Sequence, residues 1–278
     1  MTRHLVDYKE CPICSGIEIS LLEQVRDTLS IFKCVICGII FRNGYQSGSS
    51  YGYEESTFEN WKEESVRRFF GSDFTKPNLV ALKESYREAL MPLGEPEASG
   101  KVLDLGCGGG LFLKLLNELK YDAQGLEPSA LFRNFGIDYL GLRILDGDIY
   151  DYQNGLKFDT VILNSVLEHL EDPVKALREI RKNILTEGGD LIVTVPNIFS
   201  LEYLTEGMSW HNFNEDHLWY FSEPSLLYVL DSVGFKNINT YQHHYDLSDD
   251  MRAVQKYIEK VLGINFNPYG GISVKCSF

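Results

Sequence analysis

The sequence predicts an α/β protein in which a small cysteine-rich unit precedes a doubly wound, mostly parallel sheet. Four of the six cysteines lie between Cys11 and Cys37, and from residue 101 onward short apolar strands alternate with helical patterns. Such alternation is typical of parallel sheets covered by helices. The 278 residues and their balance of apolar and charged side chains suit one large or two modest domains and exclude collagen-like, coiled-coil and wholly disordered chains.

The negative charge lies outside the first fifty residues. Residues 1–50 contain five basic and five acidic side chains, so the rest of the chain carries the whole formal charge of −14. Nucleic acids and anionic membranes select basic surfaces, and we therefore expect neither as a partner. Residues 1–10 do not resemble a secretory signal, and no apolar run reaches the roughly 18–20 residues that span a bilayer. These features predict a cytoplasmic location.

The N-terminal cysteines form two CxxC pairs, which are Cys11 with Cys14 and Cys34 with Cys37. Two such pairs about 20 residues apart can supply four thiolates to one tetrahedral ion, and this pattern resembles a zinc ribbon. Residues 17–22 and 29–33 are expected to be the strands of its hairpin. We predict a structural zinc ion within a ribbon over residues 1–45, because a unit this small needs a metal to fold. A redox dithiol, or two chance pairs, is the alternative.

A linker and helical cap are predicted over residues 46–98. Its first part is rich in Gly, Ser and Tyr and is typical of a loop, whereas residues 60–70 and 78–90 have helical patterns. Helices in this position either cover the mouth of an active site or pack on the outside of the domain. The sequence leaves both alternatives open.

The most informative segment is a glycine loop between a strand over residues 102–105 and a helix over residues 111–119. Its glycines are Gly106, Gly108 and Gly110, and Asp104 stands two residues before the first of them. Glycines at this junction let the backbone approach a ligand at a helix N-terminus. The dinucleotide-binding pattern GxGxxG does not fit, because leucine stands where its third glycine is required. A P-loop is excluded because no Gly-Lys-Ser/Thr follows.

This loop resembles the first motif of the class I S-adenosylmethionine-dependent methyltransferases, and the resemblance extends over residues 99–278. It implies a Rossmann-like sheet whose last strand is antiparallel, with S-adenosylmethionine as cofactor. By the same resemblance Glu127, at the end of the second strand, accepts from the ribose hydroxyls, Asp148 accepts from the adenine amino group, and Ile149 lies against the ring. Further cofactor-site residues implied by the resemblance are Cys107, Asn164 and the three loop glycines.

The remaining strands are expected at residues 143–145, 158–164, 190–195, 235–245 and 272–278, with a helix over 251–262. Another helix begins after the N-cap Ser222 and ends at Gly234. Between the fifth strand and this helix, aromatic and imidazole groups are concentrated. In the resembled family this stretch lies over the acceptor pocket.

An alcohol acceptor needs a general base, and histidine titrates in the useful range. His217 is the first candidate, His169 the second and His211 the third. The predicted function is methyl transfer to a small-molecule acceptor, such as a sugar nucleotide or a surface-polysaccharide precursor. A ribosomal RNA methyltransferase is the alternative, against which the acidic charge argues. A non-catalytic scaffold that keeps the fold is a second alternative.

Overall fold

The computed structural model describes residues 5–47, 55–71, 76–152, 154–241, 249–262 and 270–278. Its strands are β1 (Leu5–Val6), β2 (Ile19–Arg26), β3 (Leu29–Cys34), β4 (Ile40–Asn43), β5 (Tyr45–Gln46), β6 (Lys101–Leu105), β7 (Asp122–Glu127), β8 (Ile144–Asp146), β9 (Phe158–Asn164), β10 (Leu185–Pro196), β11 (Trp219–Tyr220), β12 (Lys236–Tyr241) and β13 (Gly271–Ser277).

Helices separate most of these strands. The α-helices are α1 (Glu55–Ser65), α2 (Leu79–Ser85), α3 (Arg87–Leu90), α4 (Leu111–Glu118), α5 (Ala130–Asp138), α6 (Pro173–Glu179), α7 (Leu201–Glu206), α8 (Glu223–Ser232) and α9 (Asp249–Leu262). π-helical turns at Val66–Phe70 and Ile180–Ile184 follow α1 and α6, and 3-10 turns occur at Pro96–Ala98, Ile149–Asp151, Leu167–His169 and Gly207–Ser209. Within the described ranges, no helix is long and apolar enough to cross a bilayer.

The main sheet has the spatial order β12-β13-β10-β9-β6-β7-β8, counted over the described residues. β6 lies parallel to both β7 and β9, and β10 is parallel to β9. β13 runs antiparallel to its neighbours β10 and β12. This confirms the doubly wound, mostly parallel sheet with an antiparallel last strand. The chain reverses its winding direction between β6 and β9, so the carboxyl ends of these strands form the crevice where such sheets bind ligands.

The central strands are buried on both faces, since their side chains alternate between two apolar clusters. Leu103 and Val161 pack in one cluster, whereas Val102 and Ile162 pack in the other. Parallel strands covered by helices on both faces are expected to be apolar at nearly every position. The core therefore holds β6 and β9 rigidly below the glycine loop.

Two elements begin five residues before their expected positions. β10 begins at Leu185, five residues before the predicted Asp190, because a register shift near Gly188, whose φ is +72°, joins the extra residues to the strand. The first cap helix begins at Glu55 instead of residue 60. Residues 242–245 of the predicted sixth strand, and residues 48–54 of the linker, lie outside the described residues. Ser222 does cap α8, as predicted, and it forms a capping box with Ser225.

The ribbon strands do not form a sheet by themselves. β2, β3 and β4 are antiparallel neighbours, and β11 adds a fourth strand beside β4. The pairing joins Trp219 to Phe41 and Tyr220 to Ile40. A segment from the C-terminal half of the chain therefore completes the sheet of the cysteine-rich unit.

Candidate active site

The glycine loop makes a sharp turn between β6 and α4. Gly106, Gly108 and Gly110 have φ values of +71°, +53° and +82°, in the left-handed region that favours glycine. A Cβ at Gly106 would also lie 2.8 Å from a methyl carbon of Val166. The glycines thus satisfy a backbone requirement, and they bring the loop close to the turn that follows β9.

Two acidic side chains flank this loop and are both almost fully buried. The Glu127 oxygens accept hydrogen bonds from the backbone N–H groups of Gly108 and Ser129, each at 2.8 Å. Asp104 Oδ2 has no hydrogen-bond partner among the described residues, although Asp104 is only 2% exposed. Burial, and then the charge of Glu127, raise the pKa of Asp104 to about 7.

An unpartnered buried carboxylate oxygen is costly unless a ligand completes it. A cationic ligand at this edge would satisfy Asp104 and favour its ionised form. S-adenosylmethionine carries an ammonium and a sulfonium group, so the chemistry of the acid pair fits this cofactor. Asp104 would face the positive charge, while Glu127 retains lone pairs for hydroxyl donors.

A small apolar cavity of about 40 Å³ adjoins the loop at the end of β8. Gly106, Leu126, Asp148 and Ile149 are among the residues that line it. One Asp148 oxygen accepts from Tyr150 N–H at 2.8 Å and caps the following 3-10 turn. This places Asp148 and Ile149 together beside the loop, and their contacts with an adenine ring stay a prediction.

Two other predicted cofactor residues have different surroundings. The Cys107 thiol packs against β7, because a Cβ at Gly125 would overlap its sulfur, and burial raises its pKa well above the ordinary value. Asn164 ends β9 and is half-buried. Their roles, like those of the other predicted site residues, stay predictions.

The structure brings two of the three candidate base residues together. The imidazole rings of His169 and His217 are edge to face, with centroids 4.6 Å apart, whereas His211 is largely exposed. Burial, and then the neighbouring His169, lower the pKa of His217 to about 3. His217 is therefore neutral near pH 7, and its low pKa makes it a weak proton acceptor.

Glu168 lies beside the two histidines and is fully buried. Both of its carboxylate oxygens lack a hydrogen-bond partner in the described part of the chain. Burial raises its pKa to about 7. No local pattern in the sequence shows that His217 packs near Glu168, so this cluster emerges only from the fold.

The four N-terminal cysteines also converge. Their sulfur atoms all lie within 4.8 Å of one another, with Cys11 to Cys37 and Cys14 to Cys34 both at 3.6 Å and no disulfide between them. Four sulfurs about 2.3 Å from one tetrahedral ion would be about 3.8 Å apart. The cluster therefore has the ligand type, number and spacing of a structural zinc site.

Arginines of the ribbon bind the backbone of the acceptor-side segment, which comprises residues 211–222. Arg42 is 5% exposed, and its guanidinium donates to the carbonyls of Glu215 and Thr28. Arg26 donates to the Phe213 carbonyl at 3.1 Å. These contacts add to the β4–β11 pairing, so the ribbon fixes the position of the segment that contains His217.

The first cap helix packs on the glycine loop. Trp61 of α1 lies directly against Gly109, where a Cβ would overlap its ring. The same ring contacts Phe132 and Phe135 of α5 at centroid distances of 5.0 and 5.3 Å. The helix therefore packs on the glycine loop and on α5. That it covers the mouth of an active site stays a prediction. Nothing in the helical pattern alone distinguished Trp61 from an ordinary core residue.

Comparisons with known proteins agree with this geometry. A family described as a methyltransferase domain matches residues 81–240. A tRNA U34 carboxymethyltransferase from Alteromonas mediterranea is 29% identical over 166 residues, which cover 55% of this chain and 49% of that protein. The enzyme of the same name from Aeromonas salmonicida is 24% identical over 192 residues, or 65% of this chain and 58% of that one. The chain thus spans about half the length of these relatives.

A solved structure shows the same fold. An S-adenosylmethionine-dependent methyltransferase from Archaeoglobus fulgidus aligns with a TM-score of 0.55 and 19% identity, covering 78% of this chain and 99% of that one. At this level of identity the likeness concerns the arrangement of strands and helices.

One prediction is wrong. We expected no nucleic-acid partner and a small-molecule acceptor, yet the relatives named above are enzymes of tRNA. The error arose because net charge sums over the whole chain, whereas binding depends on a local surface. Several of the acidic groups that entered that sum are also buried at the glycine loop and beside the histidines.

The family match extends over more than half of the chain. It includes the glycine loop, the acid pair and the turn after β9, which occupy the carboxyl edge of a doubly wound sheet. This chain belongs to the methyltransferase-domain family of S-adenosylmethionine-dependent enzymes.

Proposed function

We propose that this protein transfers a methyl group from S-adenosylmethionine to a transfer RNA. The observation that carries the proposal is the similarity to tRNA U34 carboxymethyltransferases over 166 and 192 residues. Because the chain spans only about half of those proteins, the structure must supply independent support for an RNA acceptor.

The donor side is supported by the buried acid pair. Asp104 offers an unpartnered oxygen to a cation, and the loop backbone holds Glu127 in place through Gly108. Since the methyl group of a sulfonium is already activated, these residues would contribute mainly by binding and orienting the donor.

The acceptor side is supported by an open cleft of about 530 Å³ next to the cofactor loop. The residues that line it include the aromatic Trp61 and Tyr86 and the basic Arg68 and Arg87. Aromatic faces stack on unpaired bases, and the arginine guanidinium either binds phosphate or stacks on a base itself. The cleft also reaches Leu111, the first residue of α4 after the glycine loop, so a base in it would lie near the donor.

The cleft has mixed charge, which fits a single splayed nucleotide better than a long duplex. Glu84 accepts from Arg87 at 2.8 Å and lines the same cleft. Carboxylates of this kind accept from base amino groups, whereas a duplex backbone requires a continuous basic stripe.

We also propose that the four-cysteine cluster binds a structural zinc ion. Its closed set of four thiolates leaves no position for a substrate. Its contribution to function would be indirect, because the ribbon that it stabilises holds the acceptor-side segment.

Transfer of label to RNA tests the proposed function. The full chain is incubated with tRNA and S-adenosylmethionine carrying a tritiated methyl group, and the RNA is digested to nucleosides for mass spectrometry. We expect label in one modified nucleoside and none with D104A. Calorimetry establishes whether the chain binds the donor. A chain that binds the donor but leaves both cellular and transcribed tRNA unlabelled contradicts the proposal.

A matched pair of arginine variants tests the cleft. Arg67 and Arg68 are adjacent and exposed, but only Arg68 lines the cleft. R68A is expected to weaken tRNA binding and to reduce the slope of log K against log salt by roughly 0.7–0.9. R67A is expected to have a smaller effect on both the tRNA affinity and the salt slope. Equal losses in the two variants would place the RNA elsewhere.

A further inference from the structure

A second cluster of metal-ligand groups lies apart from the cysteines. Glu168 and His169 belong to the 3-10 turn after β9, and His217 precedes β11. One ligand atom from each residue lies within 4.8 Å of the other two. Ligand atoms about 2.1 Å from one tetrahedral ion are about 3.4 Å apart, so the three side chains would rotate toward one another when they bind it.

The carboxylate of this cluster lacks the partners that a buried acid needs. Glu168 is 0% exposed, and neither of its oxygens has a hydrogen-bond partner among the described residues. A structural glutamate in this position would be expected to bond an imidazole or a backbone N–H. An ion between Glu168 and the two histidines would give this carboxylate a partner and offset the cost of its burial.

The hydrogen bonding of His169 prepares it for this role. Its Nδ1 lies 2.9 Å from the carbonyl oxygen of Asp216. Because a carbonyl oxygen can only accept a hydrogen bond, the ring proton must be on Nδ1. Nε2 then carries the available lone pair. Metal-ligating histidines usually donate their other ring N–H in this way, and the bond fixes both tautomer and ring orientation.

Backbone contacts hold the two halves of the cluster together. Leu218 N–H donates to the Glu168 carbonyl at 2.8 Å, and the Trp219 indole donates to the Leu170 carbonyl at 2.6 Å. With the bond from His169 to Asp216, three contacts link the turn after β9 to the acceptor-side segment. These three hydrogen bonds therefore hold the ligand residues near one another before any ion binds.

We propose that Glu168, His169 and His217 bind a divalent transition-metal ion in a three-ligand site. Two imidazoles with one carboxylate suit zinc, cobalt, manganese or iron, whereas magnesium and calcium prefer all-oxygen sites. Three protein ligands leave a position for water or for an acceptor atom, unlike the closed cysteine site. As ligands, the histidines would position an acceptor and would not serve as free general bases.

Metal stoichiometry tests the proposal without any methyl acceptor, so its outcome is independent of the proposed tRNA substrate. The full chain is stripped with a chelator and dialysed against Co²⁺. Two ions per chain are expected, one with the thiolate charge-transfer bands of the cysteine site and one without them. E168Q, H169A and H217A are each expected to lose one ion and keep the thiolate bands. H211A, with an exposed histidine outside the cluster, should retain both.

Two results would overturn the site. One is a wild-type chain that binds a single ion with thiolate bands. The other is a set of triad variants that still bind two ions. Circular dichroism checks each variant's fold, and E168Q keeps the side-chain volume if a histidine variant does not fold. As a second measurement, excess Mn²⁺ should raise the melting temperature of the wild type and of H211A but not of E168Q.

Discussion

Replacing Gly109 with alanine should destabilise the contact between α1 and the glycine loop. A Cβ at this position would overlap the Trp61 ring, with two further ring carbons at 2.6 and 2.8 Å. Gly109 does not have the positive φ of its neighbours, so alanine fits the backbone. The cost is therefore steric, and it arises from one identifiable side chain.

The size of this effect follows from the cost of overpacking. Inserting a methyl group into a packed contact costs about 1–3 kcal/mol when the neighbour must move. Trp61 also packs on Phe132 and Phe135, which limits its freedom to shift. In a W61A background the added Cβ no longer meets the indole ring, and G109A should cost less than about 0.5 kcal/mol.

Urea denaturation followed by far-ultraviolet circular dichroism measures the double-mutant cycle, since this signal does not depend on Trp61. The free energies of unfolding of the wild type, the two single variants and the double variant give a coupling of about 1–3 kcal/mol. W61A alone is also destabilising, since it removes the aromatic contacts. An equal cost of G109A in both backgrounds would refute the assigned contact.

Three further outcomes are expected. The pKa of Asp104 is raised to about 7, so its carboxyl group is neutral at lower pH. The affinity for S-adenosylmethionine, measured by calorimetry, should therefore rise by up to about tenfold per pH unit until pH 7. D104N should bind the donor weakly, and its affinity should depend less on pH. C34S should bind one zinc ion fewer than the wild type in elemental analysis and should have a lower melting temperature. An unchanged zinc content would contradict the proposed four-cysteine zinc site. R42M should cost about 1.5–3 kcal/mol in urea denaturation, since it removes the hydrogen bonds from a charged guanidinium to the Glu215 and Thr28 carbonyls. R26M removes a single bond to the acceptor-side segment and should cost less.

The catalytic sheet could be predicted because its signals are local. Each strand is a short apolar run, and Asp104 and Glu127 stand at carboxyl ends that a parallel sheet must bring to one edge. The CxxC pairs are equally local, since each pair already restricts where its sulfurs point. The glycine loop joins an apolar strand to an acidic residue at the end of that strand, and this combination indicated the family.

Features that depend on distant partners could not be predicted. β11 has two residues, too few to show any periodicity, and its partner β4 is far away in the chain. Likewise, no sequence pattern shows that His217 meets Glu168. The net charge was a poor guide to the class of methyl acceptor, because it does not distinguish a buried carboxylate from one on a binding surface.

The pairing of β4 with β11 has a consequence for synthesis. It joins Ile40 to Tyr220, a separation of 220 − 40 = 180 residues. At about 5–20 residues per second, a ribosome needs roughly 9–36 seconds to make the intervening chain. For an interval of this length after β4 leaves the ribosome, the N-terminal cysteines are outside it while the ribbon sheet still has an open edge at β4. Early capture of a metal ion would protect these thiols from oxidation until the last strand arrives.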